Sequence, residues 1–454
     1  MKTESNARKQ IIKSAIYFFA LSVFLFQCKN DTQELKPTKD LNDGTELQNY
    51  NVTLTDAVTI ASNTMSITES ARTSKQARYS STSDENPFTS SKKEVLSKET
   101  VKDGEDDMYH IINYKDNQGF VIISADKRCI PILAYSDNNP FRNDGLAGIS
   151  EWFEVAKYHI KKAKQKDRPE PGISQLWKVL EGSVKKDGGR VMDWTGCDYF
   201  YNYHETGRYV DNVARWNQSG STKYYSTSDN GCTCQRRAAG CGAVAMGMVM
   251  RYHQYPSNVT LCYNSSCFVP DYPSMPRETD TDCGFPSTTG RNQRALLTRI
   301  AGAAASSNYG VLGNCNTWTI PGNINNALQS GFFFANGGTW GSLSSKYAQV
   351  KSDLNNYFPV IFTGTLNGVN ANDAHIWVGD GYSTLSTQYK TYVGCDENGD
   401  NCIEDCRNYD AEYIGMNWGW GGTSNGYFFT TYSFSTDNGT YDTYLRALTG
   451  IRPN

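Results

Sequence analysis

The sequence has little net charge and, beyond its N-terminus, no long apolar run. Its 454 residues carry a formal net charge of −3, and its mean hydropathy is −0.58. A nucleic-acid-binding chain usually carries a strongly basic surface, so we predict no nucleic-acid partner. After residue 26, no segment approaches the about 18 apolar residues that a membrane-spanning helix needs. The 13 cysteines are too many for an ordinary cytosolic protein and favour a fold outside the cytoplasm.

The first 28 residues have the pattern of a lipoprotein-type export signal that ends at Cys28. A basic head that includes Lys9 and Lys13 precedes the apolar run Ala15–Phe26. As a helix, this run would be only about 18 Å long, which is short of the about 30 Å hydrocarbon core of a bilayer. We therefore predict cleavage before Cys28, lipidation of Cys28, and a lipoprotein of the bacterial cell envelope or cell surface. An ordinary signal with a coincidental cysteine is the alternative, and release after maturation stays open.

The density of charged residues changes near residue 190. Residues 1–190 hold 28 Lys+Arg and 26 Asp+Glu, whereas the longer remainder holds 16 and 21. Such a change in the density of charged residues predicts two units that differ in solvation. We expect a polar tether at 29–50, a first unit at 51–190 and a second unit at 191–454.

The first unit contains readable secondary-structure signals. Apolar runs at Met108–Tyr114 and Phe120–Ala125 flank a polar turn, which predicts a β-hairpin. Ile130–Tyr135 predicts a third strand. Helical spacing of apolar residues predicts helices at Ser150–Lys164 and Ile173–Val184.

The second unit contains a cysteine between two glycines, Cys241, just before an apolar segment that ends near Pro256. The segment predicts a buried helix that begins just after Cys241. A helix N-terminus favours a thiolate and offers backbone N–H groups to an oxyanion. A disulfide-bonded cysteine at a helix start explains the segment equally well.

A nucleophilic thiol needs a base, and the sequence offers five His residues. Two of them lie in the first unit, and His204 lies in a Tyr-rich segment. His253 would lie about 18 Å from Cys241 along one helix, which is too far for a hydrogen bond. His375 remains, in a segment that predicts a strand. A purely structural role for His375 stays open at this point.

Residues 416–429 predict a strand that enters a Trp/Gly turn and leaves it again. The side-chain oxygen of Asn417 can accept an imidazole N–H, and Trp418 beside it can shield that bond from water. His375 and Asn417 follow Cys241 by 134 and 176 residues, which is the order found in papain-type proteases. The glycines do not form G-x-G-x-x-G, so we predict no nucleotide loop. A carbohydrate-contacting turn is the alternative for this stretch alone.

Longer motifs resemble the streptopain family of bacterial secreted cysteine proteases. They are WNQ at 216–218, AGC at 239–241, YHQYP at 252–256, HIWVGDG at 375–381, NWGWGG at 417–422 and GIRP at 450–453. The stretch GFVIISADKR at 119–128 is similar to the inhibitory prosegment of that family. The resemblance covers roughly residues 50–454, in order.

The resemblance implies a role for each site residue. Cys241 is the expected nucleophile and His375 its partner, while Gln218 is expected to donate its amide N–H to the oxyanion hole. Asn417 is expected to orient His375, and Trp418 to cover that contact. The implied fold class is α+β: a papain-like protease with a helical and a β-sheet subdomain, preceded by a smaller α+β prosegment. The implied partners are protein or peptide substrates and the prosegment as inhibitor, so we expect a zymogen.

Ten further cysteines of the second unit have an even number, which in an exported domain predicts up to five disulfides. They are Cys197, Cys232, Cys234, Cys262, Cys267, Cys283, Cys315, Cys395, Cys402 and Cys406. Zinc is the alternative, but the spacing of Cys232 and Cys234 is too close for a paired zinc ligand. We therefore predict no metal site and no cofactor. Ser383–Asp410 indicates an insertion, which we expect to form a crosslinked loop near the cleft.

Two other functions are compatible with parts of the sequence. One is a catalytically inactive surface adhesin or binding module, which the abundance of Tyr would suit. The other is a Cys–His amidase that acts on cell-wall peptides. The predicted prosegment and the Trp/Gly turn favour the protease.

Overall fold

The computed structural model of the protein describes most of the chain after residue 48. The described residues are 49–62, 93–142, 148–181, 185–187, 190–192, 198–199, 202–205, 213–310, 313–364, 374–393, 403–430, 435–436, 439–440 and 445–454. The predicted export signal with Cys28 lies outside them, as does nearly all of the predicted tether. No helix among the described residues is long and apolar enough to cross a membrane.

The N-terminal elements follow the local sequence patterns closely. The predicted hairpin is present, and the third strand and both helices lie within a few residues of their predicted positions. The elements are α1 (54–62), β1 (Val95–Asp103), β2 (Asp106–Tyr114), β3 (Phe120–Ser124), β4 (Ile132–Ser136), α2 (Ile149–Lys164) and α3 (Pro171–Leu180). Pro171 begins α3 because its fixed φ suits the first helical turn.

The second part alternates helices and strands. Its helices are α4 (Cys241–His253), α5 (Thr289–Ala304), α6 (Gly322–Asn326) and α7 (Leu343–Asn355). Its longer strands are β13 (Asn336–Ser342), β14 (Val360–Gly364), β15 (His375–Val393), β16 (Ile403–Asn417), β17 (Gly426–Phe429) and β20 (Arg446–Arg452). The short strands are β5 (Lys185–Asp187), β6 (Arg190–Met192), β7 (Asp198–Tyr199), β8 (Asn202–Glu205), β9 (Leu261–Tyr263), β10 (Ser266–Phe268), β11 (Asn308–Tyr309), β12 (Thr317–Trp318), β18 (Ser435–Thr436) and β19 (Gly439–Thr440).

One sheet runs through both parts of the protein. Its strand order is β1-β2-β3-β4-β17-β16-β15-β14-β20-β13, and β8 pairs with β15. The strands of the first part thus continue directly into those of the second, because β4 pairs antiparallel with β17. The predicted boundary at residue 190 divides the sequence but does not divide this sheet.

The two faces of the sheet bury two different cores. Successive side chains of a strand point to opposite faces, so neighbouring residues of β15 enter different cores. Trp377 joins the core that holds the apolar residues of α2, α3 and α7. Ile376 and Val378 join the core that holds Cys241 and most of α4. The predicted division into a helical and a β-sheet subdomain, with a smaller α+β prosegment, is confirmed in this α+β architecture.

Aromatic side chains fill the junction between β4 and β17. Tyr135 and Tyr427 are register partners, and their rings stack with centroids 5.3 Å apart. The indole Nε1 of Trp152 donates a hydrogen bond to the carbonyl oxygen of Phe429 at 3.2 Å. Phe428 is fully buried between Trp152 and Trp418, with ring centroids 5.0 and 5.1 Å away. The two parts therefore share one continuous apolar core on this face.

Those of the ten cysteines that lie within the described residues form disulfides, as predicted. The pairs within the described residues are Cys232–Cys315, Cys234–Cys283 and Cys262–Cys267, and Cys406 is also disulfide-bonded. The expected loop at Ser383–Asp410 is wrong for most of its length, because β15 runs to Val393 and β16 starts at Ile403. The strands continue because side chains such as Leu385 remain buried against the sheet core.

We predict that Phe428→Ala destabilises the precursor by about 3–5 kcal/mol, because a large cavity replaces the ring at the junction. The free energy of unfolding in urea measures this change. Leu96→Ala is the matched control, since Leu96 is 62% exposed and its truncation should change stability by less than about 0.5 kcal/mol. Equal values for the two variants would contradict a shared core.

Candidate active site

The glycines on either side of Cys241 have a steric cause. Cys241 is the first residue of α4, and Gly240 before it has a φ of 97°. A Cβ at Gly240 would lie 2.8 Å from Cγ2 of Thr317, and one at Gly242 would lie 2.8 Å from Cβ of Thr319. Larger residues at either position would push the helix start away from this neighbouring segment.

The thiol of Cys241 stands at the start of a helix. It lies outside the disulfides, is 9% exposed and stands at the end of a helix where backbone N–H groups favour negative charge. Cys129 is also outside the disulfides, but burial raises the pKa of its thiol to about 12. A thiol with that pKa stays protonated at neutral pH, so Cys129 is a poor nucleophile.

Gln218 lies beside the chain segment that leads into α4. The backbone N–H of Ala239 donates to the carbonyl oxygen of Gln218 at 3.0 Å. The side chain of Gln218 is partly exposed, whereas Trp216 is fully buried. This hydrogen bond places Gln218 beside Ala239, two positions before Cys241. The placement is compatible with a role of Gln218 in an oxyanion hole.

His375 is buried among aromatic rings. It is the first residue of β15, is 2% exposed, and stacks against Trp420 with centroids 5.0 Å apart and planes at 8°. Its Nε2–H donates to the carbonyl oxygen of Trp418 at 2.7 Å. Burial lowers the pKa of His375 to about 4, although the bond to Trp418 opposes this shift. The ring is therefore neutral at pH 7 in this structure.

The imidazole faces the core that contains the prosegment helices. The ring stacks on Trp377, two residues along β15, with centroids 6.0 Å apart. Trp377 belongs to the prosegment side, whereas α4 packs against β15 from the side of Ile376. The structure thus places Cys241 and His375 on elements in contact, with the imidazole turned toward the other face of the strand.

Asn417 and Trp418 lie next to His375 but do not make the expected contact with it. Nδ2 of Asn417 donates to the carbonyl oxygen of Ala214 at 3.0 Å, and its Oδ1 accepts from Gly419 N–H at 3.4 Å. Because the Nε2 proton of His375 points to the Trp418 carbonyl, the His375–Asn417 bond is not present here. The orienting role of Asn417 and the covering role of Trp418 stay predictions.

Gly148 brings the first unit into this site. It precedes α2, has a φ of 83°, and a Cβ there would lie 2.7 Å from Cδ2 of His375. The same Cβ would lie 3.0 Å from Cε3 of Trp418. The first unit therefore occupies the space beside the imidazole. Gly148 was not predicted as a site residue, because a glycine before a helix indicates only where the helix begins.

Asp380 is a second residue that the sequence did not single out. Burial raises the pKa of its carboxyl group to about 7, against the effect of a hydrogen bond with the Asn417 side chain. A Cβ at Gly415 would lie 2.9 Å from its Oδ1. Its position inside the HIWVGDG motif was the only sequence signal.

Within the described residues, no group of three or more His, Cys, Asp or Glu side chains is placed to hold a metal ion.

Comparisons with known proteins found similar families, relatives and structures. Residues 216–428 match the model of the Peptidase C10 family, and residues 50–160 match that of the Spi protease inhibitor. Streptopain of Streptococcus pyogenes serotype M1 is 24% identical over 362 residues, covering 74% of this chain and 78% of that protein. Two solved structures from Prevotella intermedia are also similar. A prointerpain A fragment has 17% identity and a TM-score of 0.49, covering 79% of this chain and 99% of that one. Active interpain A has 17% identity and a TM-score of 0.34, and the match covers 52% of this chain and 91% of that one.

Fold and site together define the precursor of a cysteine peptidase, with an inhibitory prosegment that contacts the peptidase part. Its peptidase part is similar to the Peptidase C10 family, whose model matches residues 216–428, and to streptopain. The expected family resemblance is thereby confirmed. So is the expected enzyme class, a cysteine peptidase.

We predict that Gly148→Ala weakens the latency of the precursor, because the added methyl group collides with His375. Initial peptidase activity of unprocessed precursor should rise about tenfold, which corresponds to about 1.4 kcal/mol of lost docking energy. Gly104→Ala is the matched control: Gly104 also has a positive φ, 63°, but nothing lies within 4 Å of its Cβ position. Equal activities for the two variants would contradict the inhibitory contact.

The pKa values of His375 and Asp380 predict opposite effects of pH on precursor stability. His375 has a folded pKa of about 4 against 6.5 in model peptides, so its contribution is lost as pH falls through that interval. Asp380 has a raised pKa of about 7, so its contribution is lost as pH rises from about 3.8 to 7.

Thermal unfolding of the precursor between pH 4 and 7 tests this prediction, in a Cys241→Ala background that prevents processing. His375→Gln should lessen the loss of melting temperature on acidification, and Asp380→Asn should increase it. Parallel pH profiles for all three proteins would show that neither group titrates as the structure indicates.

Proposed function

We propose that this protein is an exported cysteine endopeptidase whose precursor is held inactive by residues 51–190. The observation that carries the proposal is the pairing of two features within one chain. A thiol stands at the start of a buried helix in the segment that matches the peptidase family, and the prosegment packs against the imidazole of His375.

The proposed reaction starts with transfer of the thiol proton from Cys241 to His375. In papain, such a pair lowers the cysteine pKa to about 3–4. The thiolate sulfur attacks the peptide carbonyl carbon, and the carbonyl oxygen takes the negative charge. The amide N–H of Gln218 and the backbone N–H of Cys241 stabilise this oxyanion. His375 then protonates the leaving amine, and water hydrolyses the acyl-enzyme and regenerates the thiol.

Activation requires His375 to change its partner. In the precursor its Nε2–H is bonded to the carbonyl oxygen of Trp418, and Gly148 lies against its ring. We propose that removal of the prosegment frees this space, so that the imidazole approaches Cys241 and its other N–H reaches Asn417. Trp418 is proposed to keep water from that bond.

We predict that Cys241→Ala abolishes both self-processing and hydrolysis of denatured casein, because no nucleophile remains. Cys129→Ala is the matched control, since Cys129 is the other described thiol outside the disulfides. Both variants are incubated with reductant, and loss of the prosegment is followed by N-terminal sequencing. Normal processing of Cys241→Ala would contradict the proposed nucleophile. Cleavage of muropeptides without cleavage of protein would favour an amidase.

We also propose that residues 1–28 direct export and that Cys28 is lipidated, which would place the protein in the bacterial envelope or at the cell surface. The support is the basic head, the short apolar run and the cysteine at its end. We predict that labelled palmitate enters the wild-type protein and that Cys28→Ala loses the label and the membrane association. Cys129→Ala should keep both. Label retained by Cys28→Ala would exclude this lipidation site.

A further inference from the structure

A buried arginine of α5 contacts the chain segment that carries Gln218. Arg294 is fully buried, and its Nη2 donates to Oδ2 of Asp280 at 2.7 Å and to Oγ of Ser221 at 2.6 Å. Its Nη1 donates to the carbonyl oxygen of Glu278 at 2.9 Å. A buried charge of this kind is tolerated only when it is paired and hydrogen-bonded. Arg294 therefore holds a defined set of partners in place.

Asp280 links Arg294 to Ser221, which lies three residues after Gln218. Oδ1 of Asp280 accepts from the backbone N–H of Ser221 at 3.1 Å. Its Oδ2 accepts from the Ser221 hydroxyl group at 2.7 Å. Burial would raise the pKa of Asp280, but its hydrogen bonds from Arg294 and Ser221 lower it overall. The carboxylate is thus charged at neutral pH, and bonds to a charged group are stronger than neutral ones.

The same strip of chain, Pro276–Asp280, also anchors the residues before Gln218. The indole Nε1 of Trp216 donates to the carbonyl oxygen of Pro276 at 2.8 Å. The backbone N–H of Arg215 donates to the carbonyl oxygen of Arg277 at 2.7 Å. Gln218 therefore lies between two anchored points, with its own carbonyl oxygen bonded to Ala239.

Gly220 shows how closely the two segments approach. Its φ is 57°, and a Cβ there would lie only 1.9 Å from the carbonyl oxygen of Asp280. The contact leaves no room for the Gln218 segment to move closer to Asp280.

We propose that Arg294 and Asp280 are positioning residues that hold the amide of Gln218 in place for oxyanion stabilisation. They touch neither substrate nor the reacting atoms, and they act through Ser221. The inference rests on the proposed function, because it requires Gln218 to be the oxyanion donor.

The test separates oxyanion stabilisation from thiolate reactivity. All proteins are produced as full-length precursors and processed by wild-type enzyme on beads, which are then removed. Peptide-substrate kinetics, inhibition by a peptide aldehyde and alkylation by iodoacetamide are measured. The aldehyde adds the Cys241 sulfur to its carbonyl carbon and places its oxygen in the oxyanion hole. Alkylation displaces iodide from carbon and needs no oxyanion donor.

The proposed function is checked first: an inactive wild type, or an active Cys241→Ala, would overturn it irrespective of Arg294.

Arg294→Met should lower kcat about 10- to 100-fold with little change in KM, the scale expected for misplacement by about 1 Å. Its aldehyde affinity should fall by a similar factor, while its alkylation rate changes less than about twofold. Arg452→Met is the matched control. Arg452 forms an ion pair with buried Asp353 at 2.6 Å, and this variant loses that pair without touching the Gln218 segment.

Three results would overturn the proposal. The first is a folded Arg294→Met whose aldehyde affinity equals that of Arg452→Met. The second is a parallel loss of aldehyde affinity and alkylation rate, which would indicate general loosening of the site. If Arg294→Met does not fold, Ser221→Ala decides the question, because it removes the hydroxyl that joins the ion pair to the segment. It should weaken aldehyde binding about tenfold without slowing alkylation, and unchanged aldehyde binding would be the third overturning result.

Discussion

The close contact between the start of α4 and the segment Thr317–Thr319 is the constraint on which the site depends. It favours glycine at 240 and 242, because a Cβ at either position would lie 2.8 Å from Thr317 or Thr319. Hydrogen bonds hold the contact from both sides: Ala238 N–H donates to the Cys315 carbonyl at 2.8 Å, and the Thr317 hydroxyl donates to the Ala238 carbonyl at 2.6 Å. The Cys232–Cys315 disulfide also links these two parts of the chain, so a crosslink helps to hold Cys241, the proposed nucleophile, in position.

The latent state follows from continuity of the sheet. Because β4 pairs with β17, the prosegment extends the peptidase sheet and shares its apolar core, so it is anchored by far more than one inhibitory loop. This anchoring brings Gly148 against His375, whose proton is meanwhile bonded to the Trp418 carbonyl. A neutral, buried imidazole without its catalytic partner has no means of activating a thiol. In the proposed mechanism, latency therefore depends on the position of the His375 ring.

The parts of the fold that local pattern specifies were predictable. Alternating and helical spacing of apolar residues correctly predicted the β2–β3 hairpin, β4, α2 and the start of α4. The even number of cysteines correctly favoured disulfides over zinc. The loop expected at Ser383–Asp410 was wrong, because its polar composition concealed two strands that bury only part of their side chains. Gly148 and the link from Arg294 to Ser221 could not be assigned, since His375 and Ser221 lie more than 70 residues away from them in sequence.

The sequence alone determined the chemistry that is available: the resemblance to a protease family, a thiol at a helix start, one imidazole in a strand motif and the amides of Gln218 and Asn417. These are properties of residue type and spacing, and they survive in an unfolded chain. Only the tertiary structure decided which of these groups face one another, that His375 turns toward the prosegment, and that the Gln218 segment rests on an ion pair. Such relations depend on the burial of charge and on close packing between distant segments. Both quantities exist only after the chain has folded.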